Sequence, residues 1–267
     1  WRDVGIDRDG LVGMGDFKGL VQVHEGVCSN YLAFARNFLG HRNEFTGRTL
    51  AEEPALGWIS LVNEGCIGRS TAALEKWPEW RTAWKTWLAG KRRAEPKDYA
   101  DIPEAFPADV MAASRHACAF KLFLADTESA FAAKMRRFLR DEMKCKALLT
   151  NMNGVFHPVH TREARQKNYD YIDGHFYVDH PSFLGQNWKP PSSSGTRNPI
   201  TNACGGNYPA LGRDYSRPFT ITEWNYCAPN PHRGCAGLLV GAAAVIQGWG
   251  GLWHFDFAGG QEQYTEP

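Results

Sequence analysis

Between residues 146 and 257 short apolar runs alternate with helical segments, and this alternation most restricts the folds open to the chain. Lys146 to Thr150 (KALLT), Tyr171 to Val178, Phe219 to Glu223 and Gly251 to Phe257 (GLWHFDF) are brief, apolar and prone to β-structure. Thr161 to Lys167 and Cys235 to Gln247, lying among them, have helical character. Strands joined through helices pair in parallel, because each crossover returns the chain to the same end of the sheet.

The same logic extends towards the start. Ser29 to Leu39 has apolar residues at helical spacing, with Ser29 a candidate cap, and Ala55 to Val62 (ALGWISLV) has the continuous apolarity of a buried strand. Leu74 to Leu88 carries Trp77, Trp80, Trp84 and Trp87, the last three on one face of an amphipathic helix. Those rings are expected to pack inside the protein. After a polar connector from Lys91 to Pro107, Ala108 to Met143 forms the longest helical pattern, with an interruption expected near Asp126. A Ser/Gly/Pro/Asn-rich loop spans Leu184 to Asn207.

Five strands and a leading helix suit the second part of an α/β barrel. A (β/α)8 (TIM) barrel takes about 250 residues, roughly 30 per unit. The strand that begins at Ala55 has room before it for one helix but not for three βα units. The expectation is therefore a single barrel domain over residues 1–267, covering roughly strands four to eight and truncated at the N-terminus and also at the C-terminus. An open parallel edge would leave such a piece poorly stable and weakly active alone.

Two of the strands end on glutamate: Leu61-Val62-Asn63-Glu64 and Thr220-Ile221-Thr222-Glu223-Trp224. Barrel enzymes keep their catalytic groups at the carboxyl ends of strands. Two carboxyls from different strands can divide glycoside hydrolysis between an acid and a nucleophile, which a retaining enzyme holds about 5–5.5 Å apart.

Other chemistries find less support. The net charge of +1, with acids and bases interspersed, gives no footing for nucleic acid or a membrane surface, and no apolar run approaches the roughly 18 residues of a span. No stretch has the form of a signal peptide. The seven cysteines (28, 66, 118, 145, 204, 227 and 235) are scattered without a CxxC pair; a Cys227–Cys235 bridge is the one local pairing open, and reduced thiols are the default. His157, His160, His175 and His180 show no metal-site spacing, so no metal is expected. Neither a GxGxxG nor a GxSxG motif is present, so neither a nucleotide cofactor nor a serine nucleophile is expected.

Asn63-Glu64 at one strand end, His175-Phe176-Tyr177 on a later strand, Glu223 on the next and Trp253 on the last together resemble glycoside hydrolase clan A, nearest to the cellulase-like family 5 and relatives such as family 42. His41-Arg42-Asn43, Thr46-Gly47 and Glu53-Pro54-Ala55 are similar to bacterial members of that group, and the resemblance runs from about residue 17 to 257. It implies Glu64 as general acid/base, Glu223 as nucleophile and Asn63 on the sugar 2-hydroxyl. His175 and Tyr177 would line the subsite, with Trp253 as the stacking platform; Trp224, beside Glu223, is a candidate for substrate binding or for the core. It implies a β-linked glycan as the substrate, no cofactor, and a parent protein of the exported, polysaccharide-degrading kind. No counterpart of the clan's early-strand arginine is found. The alternative is a non-catalytic carbohydrate-binding or scaffold protein on a glycosidase-like barrel.

Overall fold

The computed structural model describes residues 1–65, 74–151, 153, 159–199 and 212–256. Cys66, Cys204, His157, Phe257, Gly259, Gly260, residues 200–207 of the long loop and the side chain of His160 lie outside the described residues. Backbone contacts divide the chain into two compact units, Trp1–Met152 with His157–Asp170, and Asn153–Phe156 with Tyr171–Pro267.

The first unit is helical around a short parallel strand pair. Its helices are α1 (Met14–Leu20), α2 (Glu25–Leu39), α3 (Pro78–Ala94), α4 (Arg115–Arg137) and α5 (Val159–Asn168). Strands β1 (Trp58–Ser60) and β2 (Leu148–Thr150) run parallel, with Ile59 opposite Leu149. α2 begins four residues before Ser29. His24 is its cap, accepting the Val27 N–H on Nδ1, and Ser29 sits one turn inside with its hydroxyl on Glu25.

Helix α4 is the spine of this unit and runs unbroken through Asp126. The expected interruption is absent because Asp126 faces α3, where its carboxylate accepts the indole N–H of Trp87 at 2.9 Å. Early in α4, Phe120, Phe123 and Leu124 pack on Trp80, Trp84 and Leu88. Later, Phe131 and Met135 join Leu20, Val27, Leu39, Leu61, Val62 and Leu149 in a second apolar cluster. Trp80 and Trp84 are fully buried, as expected of rings at i and i+4 on one helix face.

The second unit holds a three-stranded parallel sheet in the order β3 (Ile172–Val178), β4 (Phe219–Tyr226), β5 (Gly251–His254). A two-residue antiparallel pair joins Ser182–Phe183, just before the long loop, to Ser192–Ser193 within it. Helix α6 (Ala236–Gln247) leads into β5 through Gly248, whose φ of 61° ends the helix in the left-handed region. The core is made of Ile172, Phe176, Val178, Phe219, Ile221, Trp224, Tyr226, Ala236 and Val240. Cys227 and Cys235 are free thiols.

The five strands expected from the sequence are present and pair in parallel within each unit; among the described residues neither sheet closes on itself. Their boundaries differ. β1 is shorter than the Ala55–Val62 run and its Trp58 and Ser60 are exposed, so it is not the buried strand expected, and β5 ends at His254. β4 continues three residues past Glu223, because Trp224 and Tyr226 supply two further inward positions to the core.

Candidate active site

The second unit brings three of the expected residues together. On β3 the two-residue period sends Ile172, Phe176 and Val178 into the core and sets Asp173, His175 and Tyr177 on the other face. On β4 the inward residues are Phe219, Ile221, Trp224 and Tyr226, so the alternation slips by one between Ile221 and Trp224. The register shows the cause. Gly174 lies opposite Ile221 and His175 opposite Glu223, which leaves Thr222 as the extra residue of a β-bulge. In a regular strand Thr222 and Glu223 would point to opposite faces; the bulge turns both towards the Asp173–His175–Tyr177 row.

Glu223 is held by two groups of that row. The Tyr177 hydroxyl donates to Glu223 Oε2 at 2.8 Å, and His175 Nδ1 lies 3.3 Å from the same oxygen. His175 is buried, whereas the Glu223 side chain keeps 20% of its exposure. Behind the ring, Nε2 lies 3.1 Å from the Asn153 amide nitrogen and 3.0 Å from the Thr222 hydroxyl. Both ring nitrogens therefore have protein partners.

Asp173, which sequence reasoning passed over, anchors this layer. It is fully buried. Its Oδ1 accepts from the Thr220 hydroxyl (2.6 Å) and from the Thr222 backbone N–H (3.1 Å); its Oδ2 accepts from the Thr222 hydroxyl (2.5 Å) and the Asn153 amide (3.1 Å). A bulge takes a backbone N–H out of the ladder, and here a buried carboxylate accepts it. The D-x-H-x-Y spacing was the available signal, since it sets all three residues on one face.

The remaining expected residues of this unit take different positions. Trp224 is buried on the core face, its ring stacked on Phe176 (centroids 6.1 Å apart) and edge-on to His254 (5.1 Å). That is the environment of a packing residue, since its face is occupied by protein. Trp253 is 40% exposed on β5, with its indole folded over Gly251 two residues earlier on the same strand face. The Asn225 amide ties β4 to the chain after β5 by donating to the Phe255 carbonyl at 2.9 Å. Asp179, at the end of β3 with φ 61°, accepts from Asn230 (2.6 Å) and from the Arg197 backbone (3.1 Å), joining three loop segments.

In the first unit, Asn63 and Glu64 follow β1 and both are exposed. The strand end is fastened on three sides. Leu61 N–H bonds the Thr150 carbonyl, Val62 N–H donates to Asn151 Oδ1 at 3.1 Å, and the Tyr31 hydroxyl donates to the Leu61 carbonyl. Burial pushes the Tyr31 hydroxyl up to about 12, so it remains a donor at neutral pH. Glu64 itself has a φ of 50°, a left-handed conformation that non-glycine residues rarely adopt and that costs about 1–3 kcal/mol. Lys18 Nζ stands 3.9 Å from its carboxylate.

Asn151 is in turn held by a buried carboxyl. Glu128, in the middle of α4, accepts from Asn151 Nδ2 (2.9 Å), from Gln22 Nε2 (2.6 Å) and from the Tyr169 hydroxyl. Burial raises the pKa of Glu128 and holds that of Tyr169 well above the ordinary range. Beside β2, the Asp170 carboxylate takes the Leu149 N–H (2.9 Å) and pairs with Arg136 and Arg140, while Arg140 also donates to the carbonyls of Cys145 and Ala147.

No protein-family model matches the chain, and comparisons with curated proteins and with solved structures gave no match.

Proposed function

We propose that this chain is the catalytic part of a retaining glycoside hydrolase of the clan A type, acting on β-linked glycans with Glu223 as nucleophile and Glu64 as acid/base. The observation that carries the reading is the two-point hold on Glu223. A phenol and an imidazole converge on one carboxylate oxygen, Oε2, and orient the carboxyl group. A carboxylate fastened in this way at a partly exposed strand position is suited to attack rather than to structure.

In the first step the Glu223 carboxylate attacks the anomeric carbon, the bond to the leaving oxygen breaks, and Glu64 gives that oxygen its proton. In the second step Glu64, now ionised, takes a proton from water, whose oxygen displaces Glu223 from the sugar. Trp253, partly exposed, offers an aromatic face to the apolar C–H face of a ring. Trp224, packed in the core, supports the strand instead. The left-handed backbone at Glu64 fits a residue held in place for function.

The test is mechanism-based labelling. A panel of dinitrophenyl 2-deoxy-2-fluoro-β-glycosides of gluco, galacto and manno configuration is incubated with the protein, followed by peptide mass spectrometry. The expected result is one added fluoroglycosyl group on the peptide containing Glu223, and none in Glu223→Gln. Saccharide binding without labelling or turnover of any member would sink the enzyme reading and leave a binding protein.

A further inference from the structure

We infer that Asp173 is a positioning residue for the Glu223 site: through Asn153 it fixes His175 in the tautomer that carries its proton on Nδ1, aimed at Glu223. The consequence for catalysis rests on the function proposed above; the tautomer does not.

The argument is an account of protons. The Thr222 hydroxyl has one, and the buried Asp173 carboxylate 2.5 Å away, which can only accept, takes it. The Thr222 oxygen can then offer His175 nothing but a lone pair. The Asn153 amide nitrogen has two protons; one goes to Asp173 Oδ2 and the other points to His175 Nε2, at 3.1 Å from each. The carboxylate also decides the orientation of the amide group, since Asn153 with its oxygen turned inward would face Asp173 with a second acceptor.

On the opposite edge of the ring, His175 Nδ1 meets the Glu223 carboxylate, again an acceptor. A neutral imidazole has one proton. Placed on Nδ1 it serves Glu223, and Nε2 is left to accept from Asn153. Placed on Nε2 it would leave the Nδ1 lone pair against Glu223 and drive the Asn153 N–H into another N–H. The first arrangement satisfies both Glu223 and Asn153 and the second satisfies neither; the first has one cost, the Thr222 lone pair that faces Nε2 at 3.0 Å. Asp173 thus acts at a distance, by choosing the orientation of the Asn153 amide, as second-layer carboxylates do for metal-bound and catalytic histidines. The bulge contributes as well, since it alone brings Thr222 and Glu223 to the same side of β4.

The test reads the tautomer directly, by long-range 1H–15N correlation of the His175 ring in the full chain, with the signal assigned by loss in His175→Gln. In the wild-type chain Nδ1 should be of the protonated type and Nε2 of the lone-pair type. Asp173→Asn should shift population to the Nε2–H form, as should Asn153→Ala, which removes the N–H aimed at Nε2 and keeps Asp173 in place should the first variant fold poorly. Thr222→Val, which removes only a lone pair facing Nε2, should leave the Nδ1–H form in place. On any β-glycoside that the chain turns over, Asp173→Asn should lower kcat about 100-fold, the scale of a misdirected catalytic group, with KM little changed. An Nε2–H or doubly protonated ring in the wild-type chain, or an unchanged ring in folded Asp173→Asn and Asn153→Ala, would overturn the inference. The expected tautomers without any turnover would uphold the positioning role while the glycosidase reading failed.

Discussion

The Tyr177 hydroxyl donates to Glu223 Oε2 across 2.8 Å, joining two strands that the sequence separates by 46 positions. Because His175 reaches the same oxygen, the phenol supplies one of two hydrogen bonds to a charged group, each worth about 1.5–3 kcal/mol. Tyr177→Phe removes one of them while keeping the ring. The expected outcome is a fall in kcat of about 10-fold to 100-fold on a glycoside substrate, with the thermal midpoint nearly unchanged. Steady-state kinetics beside a melting curve checks this, and an unchanged kcat would remove Tyr177 from the site.

The indole of Trp253 lies over Gly251, where any added Cβ would collide with the ring. Gly251→Ala should therefore push the platform aside without touching either glutamate. The expectation is a KM for oligosaccharides raised about tenfold, with labelling of Glu223 by a small aryl fluoroglycoside retained, because a lost stacking contact removes roughly 1 kcal/mol or more of binding. Equal loss on both substrates would argue against a platform role.

Glu128 gives the first unit a predictable response to pH. Burial raises its pKa, so its contribution to stability is complete below the ordinary carboxylate value of 4.5 and is lost as pH rises through the elevated native value. Tyr169 behaves in the same sense above its ordinary value of 10. Glu128→Gln removes the lower titration. Gln22 Oε1, buried and without a hydrogen-bond partner among the described residues, can then accept from the new amide after a flip of the Gln22 side chain. The variant should gain about 1 kcal/mol at neutral pH and lose the fall in stability that the wild-type chain shows as pH rises above the ordinary carboxylate value of 4.5, read by urea unfolding. A slope identical to the wild-type chain would refute this.

Trp84 is fully buried against Trp87, Phe120 and Phe123, with ring centroids 5.3–5.4 Å apart. Trp84→Ala should cost about 3–5 kcal/mol, a large part of the stability of an ordinary domain. Guanidinium unfolding followed by circular dichroism measures it. A loss under about 1 kcal/mol would mean that the aromatic cluster repacks.

What the sequence by itself determined was local. Periodicity is a property of consecutive residues, so the strands around 58, 148, 172, 219 and 251 were legible, as were helical segments over 29–39, 78–88 and 236–247 and the burial of Trp80 and Trp84. The structure extends the first helix back to Glu25 and the second on to Ala94, into the expected connector. Glu223 was legible as a strand-end carboxyl, and His175 and Tyr177 through the family resemblance. The tertiary structure decided the rest. The unbroken course of α4 depends on the Trp87 indole that Asp126 meets 39 positions away. The start of α2 depends on the ring of His24, which takes the place assigned to Ser29. Trp224 shares a polar neighbourhood in sequence with Glu223, yet the β-bulge at Thr222 sends the two to opposite faces, one into the core and one to the site. A bulge is a relation between two strands, defined by a register to which both contribute. For the same reason the D-x-H-x-Y spacing placed Asp173 on the face of His175 and Tyr177 without showing its role: the donors to its buried carboxylate come from Thr220 and Thr222 across the β3–β4 pairing and from Asn153.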